Sequence, residues 1–506
     1  MAVTIDDLPN ELLVKIFVLY GPPRRSDIEP FEPGTKPERR DACRWAPLMG
    51  VCRHWRTVAL ETPLLWQVVD VGESTKWLEL ALVRTRDAVL ELYFHAHPTS
   101  VKTLPMLLPH MHRVRKLLLP PMSIVYLLFL SVIQPVAFPV LDELRLWVDK
   151  PEAQIPVEYV PFDLSPTRFP TLRVLHLQNT VVPWTAATMS RLRYLNLHSC
   201  SPAGPRPSFA QFMDVIEACG ELEELVLHHF ISWFASPSPH DSTRTIHLPK
   251  LRKLVLGDAA ASIAHFIANV YIQETVTVRL EGCVDSELQG GFRSLLPGDA
   301  SHLPVLRTLT EVWINLPFAG EQEIMGVIPH QSIPLKLSLH SEGNFSWWSN
   351  HSRMLIQFAN LFEDVRLQTL KVFLQPRDIQ PFPTWTDLFA AFPTLHHLEI
   401  HPGGDPVPVF VALSSLSHPP AGPQLPLCPT LKRLEMDYLE YSERQHGLML
   451  VALRRRAELG LPKLDYLGLR YKGNGAAKMQ RDLEHERIMS EDLSAYVTQF
   501  DCSSCI

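Results

Sequence analysis

Two hydrophobic periodicities divide the chain. Near the N-terminus the apolar positions recur at helical spacing. Leu12, Leu13, Ile16 and Phe17 form one stripe, and Leu48, Val51, Cys52, Trp55 and Val58 form another, with Arg53, His54 and Arg56 opposite. Asp6 or Asp7 can cap the first helix, and Pro9 suits a first turn, where its missing N–H is not needed. Two or three short helices of about 50 ordered residues make only a marginal core. Such a module either turns all its apolar residues inward, as an ordinary helical cap, or leaves some of them open as a partner site.

From about residue 110 the period changes from helical to alternating. One phrase returns, Leu-x-x-Leu-x-Leu, often with Pro two positions before the first Leu. It occurs at Leu141-Leu144-Leu146, Leu172-Leu175-Leu177, Leu192-Leu195-Leu197, Leu222-Leu225-Leu227 and Leu251-Leu254-Leu256. Later copies are Leu395-Leu398-Ile400, Leu431-Leu434-Met436 and Leu464-Leu467-Leu469, with weaker ones near Leu117, Leu306, Leu335 and Leu367. The first five copies are 31, 20, 30 and 29 residues apart, and the later intervals are irregular. The phrase resembles the strand of a leucine-rich repeat, whose period is about 20–29 residues.

Side chains alternate faces along a strand, so the second and third leucines of each phrase point into the core. One such unit cannot bury its own apolar face, and stacked neighbours make a solenoid. Phe209–Ala218 and Trp385–Phe392 read as the returning helices. Parallel strands on one side with helices on the other predict a curved horseshoe. The preceding Pro suits the first position of a strand, where no ladder N–H is lost. Alternation also nominates an outward, concave surface for a target protein: Arg145, Trp147, His176, Gln178, Tyr194, Asn196, His198, His228, His397, Glu399, Arg433 and Tyr466. Aromatic, His and Arg side chains mixed with acids suit protein recognition, although every solvated sheet face is polar to some degree.

Composition narrows the possible functions. Hydrophobic residues make up 46% of the 506 and charged residues 20%, which places the chain in the globular class. The net charge is −7 and no block of like charge stands out, so nucleic-acid binding has no support. The first seven residues lack the basic and apolar regions of a secretory signal. Eight scattered cysteines fit reduced thiols of the cytoplasm or nucleus better than a disulfide framework. No charge occurs from Leu117 to Leu141, but prolines leave only Met122–Gln134 as a helix, short of the roughly 20 residues a membrane span needs.

Little chemistry can be read elsewhere. His95/His97 and His110/His112 have metal-like i, i+2 spacing but no Cys or carboxylate to complete a ligand set, so no metal is expected there. Cys502-Ser503-Ser504-Cys505 has redox spacing without the βαβ context, and a frayed tail is expected. The charge-mixed Lys478–Gln499 stretch reads as a solvated helix. There is no nucleophile elbow, no phosphate-binding loop and no zinc-protease motif, hence no reason to propose an enzyme or a cofactor.

The N-terminal pattern is more specific than its period. Leu8-Pro9-x-Glu11-Leu12-Leu13-x-x-Ile16-Phe17, then Val51-Cys52-x-x-Trp55-Arg56, then Pro63-x-Leu65-Trp66 resembles, in order and residue type, the F-box-like proteins of fungi. One departure is a charged insert at residues 21–40 with five prolines, where a compact F-box has a short turn. It reads as a surface loop. The resemblance implies docking onto the Skp adaptor of a cullin-RING ligase through Leu8, Pro9, Leu12, Leu13, Ile16, Val51, Cys52 and Trp55. It implies a substrate-recognition subunit of an SCF-type ubiquitin ligase that itself performs no covalent chemistry. A leucine-rich-repeat scaffold not coupled to ubiquitination is the alternative. The expected architecture is α/β: an F-box-like module over 1–70, an irregular leucine-rich-repeat solenoid over 71–475 and a charged tail over 476–506.

Overall fold

The computed structural model describes residues 8–20, 45–72, 74–94, 102–122, 132–133, 135–148, 163–234, 244–284, 291–316, 322–328, 333–340, 351–362, 365–374, 382–401, 405–416, 425–439, 443–472 and 490–505. The 21–40 insert, His95, His97, most of Met122–Gln134 and residues 476–489 lie outside the described residues. Backbone contacts divide the chain into two units, Met1–Asp241 and Ser242–Ile506. The N-terminal helices therefore share a unit with the first strands, and the division falls inside the expected repeat array.

In the first unit, helices α1 (Asn10–Tyr20), α2 (Arg53–Glu61) and α3 (Thr75–Arg84) accompany β1 (Val68–Val71), β2 (Leu90–Phe94), β3 (Val114–Met122), β4 (Glu143–Val148), β5 (Val174–Gln178), β6 (Tyr194–His198) and β7 (Glu224–His228). Each strand lies parallel to its neighbour in sequence. The register aligns the phrase across strands. Leu144, Leu175, Leu195 and Leu225 form one row, and Leu146, Leu177, Leu197 and Leu227 the next. All eight leucines are buried, each contributing about 1.5–3 kcal/mol on leaving water. Helix α4 (Phe209–Ala218) begins with a Ser208/Gln211 capping box. It buries Phe212 against Trp184 at 5.3 Å and Phe234 at 4.5 Å.

In the second unit the strands are β8 (Lys253–Ala259), β9 (Thr277–Cys283), β10 (Glu311–Leu316), β11 (Gln322–Val327), β12 (Leu335–His340), β13 (Thr369–Leu374), β14 (His397–His401), β15 (Arg433–Leu439), β16 (Leu464–Lys472) and β17 (Val497–Cys505). Their spatial order is β8-β9-β12-β11-β10-β13-β14-β15-β16-β17. All are parallel except β11, which runs antiparallel to both neighbours. Four helices pack in sequence order: α5 (His351–Leu361), α6 (Phe382–Ala391), α7 (Val407–Leu413) and α8 (Glu443–Glu458).

Two features depart from the sequence reading. The phrase predicts parallel strands throughout, but β11 turns the array back on itself between the weak copies. Its strand carries no Leu-x-x-Leu-x-Leu phrase, only the simple alternation that suits either direction. The expected frayed tail is also corrected, because Val497–Cys505 adds to β16 as the last parallel strand. The edge of β16 offers unpaired N–H and C=O groups, and Val497 and Leu493 are buried beside it. Local charge does not reveal such capture.

A second ladder runs through the Pro-Thr-Leu variants of the phrase. Thr171 donates its hydroxyl to the carbonyls of Pro139 and Leu141, and Thr430 donates to those of Pro393 and Leu395. Thr394 bonds the Leu367 carbonyl at 2.9 Å. Each hydroxyl thus fastens one copy to the corresponding turn of the copy before it. Buried arginines do similar work. Arg456 donates to the carbonyls of Leu427, Cys428 and Leu431, and Arg113 to those of Leu82, Arg86 and Ala88.

Thr430→Val keeps the shape and removes the donor, so it should cost about 1 kcal/mol in urea denaturation. A variant as stable as the parent would mean that this bond holds no copy in place.

Candidate functional site

The first candidate surface is built by helix α1. Its sequence, Asn10-Glu-Leu-Leu-Val-Lys-Ile-Phe-Val-Leu-Tyr20, has only Glu11 and Lys15 charged. It therefore presents apolar side chains in two directions. Leu13 and Phe17 point inward and are fully buried. Phe17 meets Trp55 of α2 edge-on at 5.4 Å. The other direction holds Leu12 at 43% exposure, Ile16 at 37%, Leu19 at 84% and Tyr20 at 53%. Val51, in the turn before α2, is 55% exposed. Pro9 is exposed and Leu8 half-buried.

Helix α2 is held by its own start. Cys52 sits at the N-cap, where its thiol accepts from the Trp55 N–H at 3.4 Å. The indole N–H of Trp66 donates to the Ala59 carbonyl at 2.8 Å. Trp66 in turn packs on Trp45 at 5.0 Å and on Trp77 of α3 at 5.1 Å. The core of this module therefore continues past residue 70, through a tryptophan the helical pattern did not single out.

The eight expected adaptor contacts separate accordingly. Leu12, Ile16, Val51 and Pro9 are open. Leu8 is half-buried, and Leu13 and Trp55 are buried, at 0% and 5% exposure, within the module's interior. Cys52 caps a helix. Leu19 and Tyr20 extend the open stripe and were missed, although their i+3 and i+4 spacing from Ile16 was legible.

The second candidate comprises the outward sides of the strands. In the first unit, Arg145 pairs with Glu143 at 2.6 Å, and the Tyr194 hydroxyl donates to Glu223 at 3.0 Å. His198 and His228 lie side by side in register, with rings 5.3 Å apart. Asn196, Gln178 and Trp147 are half-buried on the same side. His176 is in register between Arg145 and Asn196 and is only 8% exposed.

In the second unit, His397, Glu399, Arg433 and Tyr466 do come together, within a dense polar network. Arg433 donates to Glu435 at 2.6 Å and stacks on Tyr466 at 4.2 Å, whose hydroxyl donates to Asp501 at 3.0 Å. Lys371 reaches Glu399 at 3.2 Å and lies over Trp313 at 5.0 Å. His401 bridges Glu399 and Asp437, at 2.5 Å on each ring nitrogen. Arg470 holds Asp437 at 3.2 Å. Burial pushes His397 below the ordinary histidine value, and neighbouring Glu435 only partly offsets this. For Glu399, burial alone would raise the carboxyl, but hydrogen bonds from His401 and Lys371 outweigh it and hold the group below the usual range. Lys371, Trp313 and Asp501 were missed because β10, β13 and β17 carry weak phrases or none.

Residues 5–71 match the F-box-like family. No curated protein matches the chain significantly. No helix among the described residues is long and apolar enough to cross a membrane.

The two directions of α1 should respond differently to truncation. Trp55→Ala should destabilise the module by about 3–5 kcal/mol, whereas Leu12→Ala should change stability by less than about 0.5 kcal/mol. Urea denaturation followed by circular dichroism distinguishes them, and equal effects would contradict the assignment of inner and outer faces.

Proposed function

We propose, from an F-box-like segment at residues 5–71, that the protein is a substrate-recognition subunit of an SCF-type ubiquitin ligase. The observation that carries this reading is the second apolar stripe of α1, Leu12, Ile16, Leu19 and Tyr20, all exposed, as is Val51 in the turn before α2. An 11-residue helix with only two charged side chains leaves this stripe in water. Contiguous apolar surface of this kind marks a partner site. An F-box-like module supplies the partner class, a Skp-type adaptor carried by a cullin-RING ligase.

The in-order parallel strands of the first unit and their leucine rows support a degenerate leucine-rich-repeat solenoid, whose order the antiparallel β11 interrupts in the second unit. In this reading the outward strand positions bind a target protein, and the adaptor holds that target near a ubiquitin-loaded enzyme carried by other subunits. Effective concentration then drives transfer. The chain itself performs no covalent step and works in the cytoplasm or nucleus.

The test is co-purification of the full chain with the Skp adaptor of its own host. Wild type should bind, and Leu12→Glu with Ile16→Glu should lose at least about ten-fold in affinity, since each places a charge in a desolvated contact, while the urea transition is unchanged. Binding equal to wild type by the double variant would remove the α1 stripe as the docking face. A folded wild-type chain that binds no adaptor would leave the scaffold reading.

A further inference from the structure

Three strands of the first unit end alike. Asn179, Ser199 and His229, the residues that follow β5, β6 and β7, have positive φ of 52°, 50° and 50°. The Asn179 N–H donates to the His198 carbonyl at 2.9 Å, and the Ser199 N–H to the His228 carbonyl at 2.8 Å. The first two loops are thus each fastened to the end of the next strand. The composition of all three is one-sided. Residues 179–189, 199–209 and 229–234 contain no Asp or Glu, in a chain of net charge −7, but do contain Arg206 and His229. An anion brought here meets no carboxylate from the loops themselves.

A cleft of about 520 Å³ is lined by Ser201, Pro202, Gly204 and Arg206 of the second loop and by Ser232 and Trp233 of the third. Ligand pockets span about 300–1,000 Å³. Arg206 is built into the wall. Its Nε donates to the Trp233 carbonyl at 3.0 Å, and its Nη2 to the carbonyls of Ser232 at 3.0 Å and Phe234 at 3.2 Å. Carbonyls fix the guanidinium without neutralising it, and Arg206 has no carboxylate partner among the described residues. Trp233 is 49% exposed, whereas Ile231 and Phe234 of the same turn are buried. The cleft thus joins a fixed, uncompensated cation to an indole left in water.

We propose that this cleft binds an acidic segment of the target protein, with a carboxylate against Arg206 and a neighbouring apolar side chain against Trp233. Held through Nε and Nη2, the guanidinium keeps Nη1 to donate to the incoming carboxylate, a charge-assisted bond. Its geometry is set before binding, so little side-chain freedom is lost in making that bond. The indole offers a large apolar face with few rotatable bonds, and Trp and Arg are the residues that most often anchor protein interfaces. A basic segment is repelled by the same charge. The inference rests on the target-binding half of the proposed function and gives that target a chemistry.

The test titrates the full chain into a fluorescein-labelled peptide of alternating Glu and Leu, read by anisotropy, with a Lys/Leu peptide of equal length beside it. The Glu/Leu peptide should bind saturably and the Lys/Leu peptide should not. Trp233→Ala and Arg206→Gln should each weaken binding at least about ten-fold, as loss of an interface anchor does. Arg53→Gln, an exposed position on α2, should leave it unchanged. Arg206→Gln also removes bonds to its turn, so Trp233→Ala with an unchanged urea transition is the decisive variant. Adaptor co-purification of the same proteins keeps the two readings apart. Variants that lose the peptide and keep the adaptor support both. No saturable Glu/Leu binding, equal binding of the Lys/Leu peptide, or binding that both variants retain overturns the cleft alone. A chain that takes up the peptide but no adaptor overturns the ligase reading and leaves the cleft.

Discussion

A strand such as Tyr194–His198 turns two leucines, Leu195 and Leu197, to one side and cannot cover either by itself. Its neighbours in register do so, because Leu175 and Leu225 flank Leu195, and Leu177 and Leu227 flank Leu197. This need for a neighbour orders the first unit. It also forces each turn of the array to be tied to the turn before it, which the threonine hydroxyls at Thr171, Thr394 and Thr430 accomplish. Once the inward positions are spent on mutual burial, the alternate positions are left for polar chemistry. The outward network of the second unit is thus a consequence of the leucine rows.

The N-terminal module has the opposite problem. Helix α1 carries more apolar surface than its small core can absorb. Leu13 and Phe17 are buried, Phe17 against Trp55, and Leu12, Ile16, Leu19 and Tyr20 are left outside. A helix that is apolar on both sides is stable in water only with something on each of them. The adaptor reading follows from that excess together with the family match. The tryptophans tie the module to the helix that follows it, since Trp77 of α3 packs on Trp66.

Much of this was legible in the chain. The strand phrase located the inward leucines, because burial on one face enforces a period of two whatever the loops do. The helical stripe located the module, but the same stripe contained inner and outer positions, and spacing alone could not say that Leu13 and Trp55 belong inside while Leu12 belongs outside. The antiparallel β11 was not legible, because Gln322–Val327 alternates like any strand and direction is set by a partner distant in sequence. Likewise Val497–Cys505 reads as a polar tail until the open edge of β16 is present. The polar network was half legible. His397, Glu399, Arg433 and Tyr466 sit on strong phrases, whereas Lys371 and Trp313 sit on weak ones.

The central claim is that α1 presents its outer stripe to an adaptor. A structure of the full chain bound to the Skp adaptor of its host tests it most directly. The account predicts that Leu12, Ile16 and Val51 lose their exposure to the adaptor while the Phe17–Trp55 contact is unchanged. An adaptor seated elsewhere, with that stripe still in water, would contradict it.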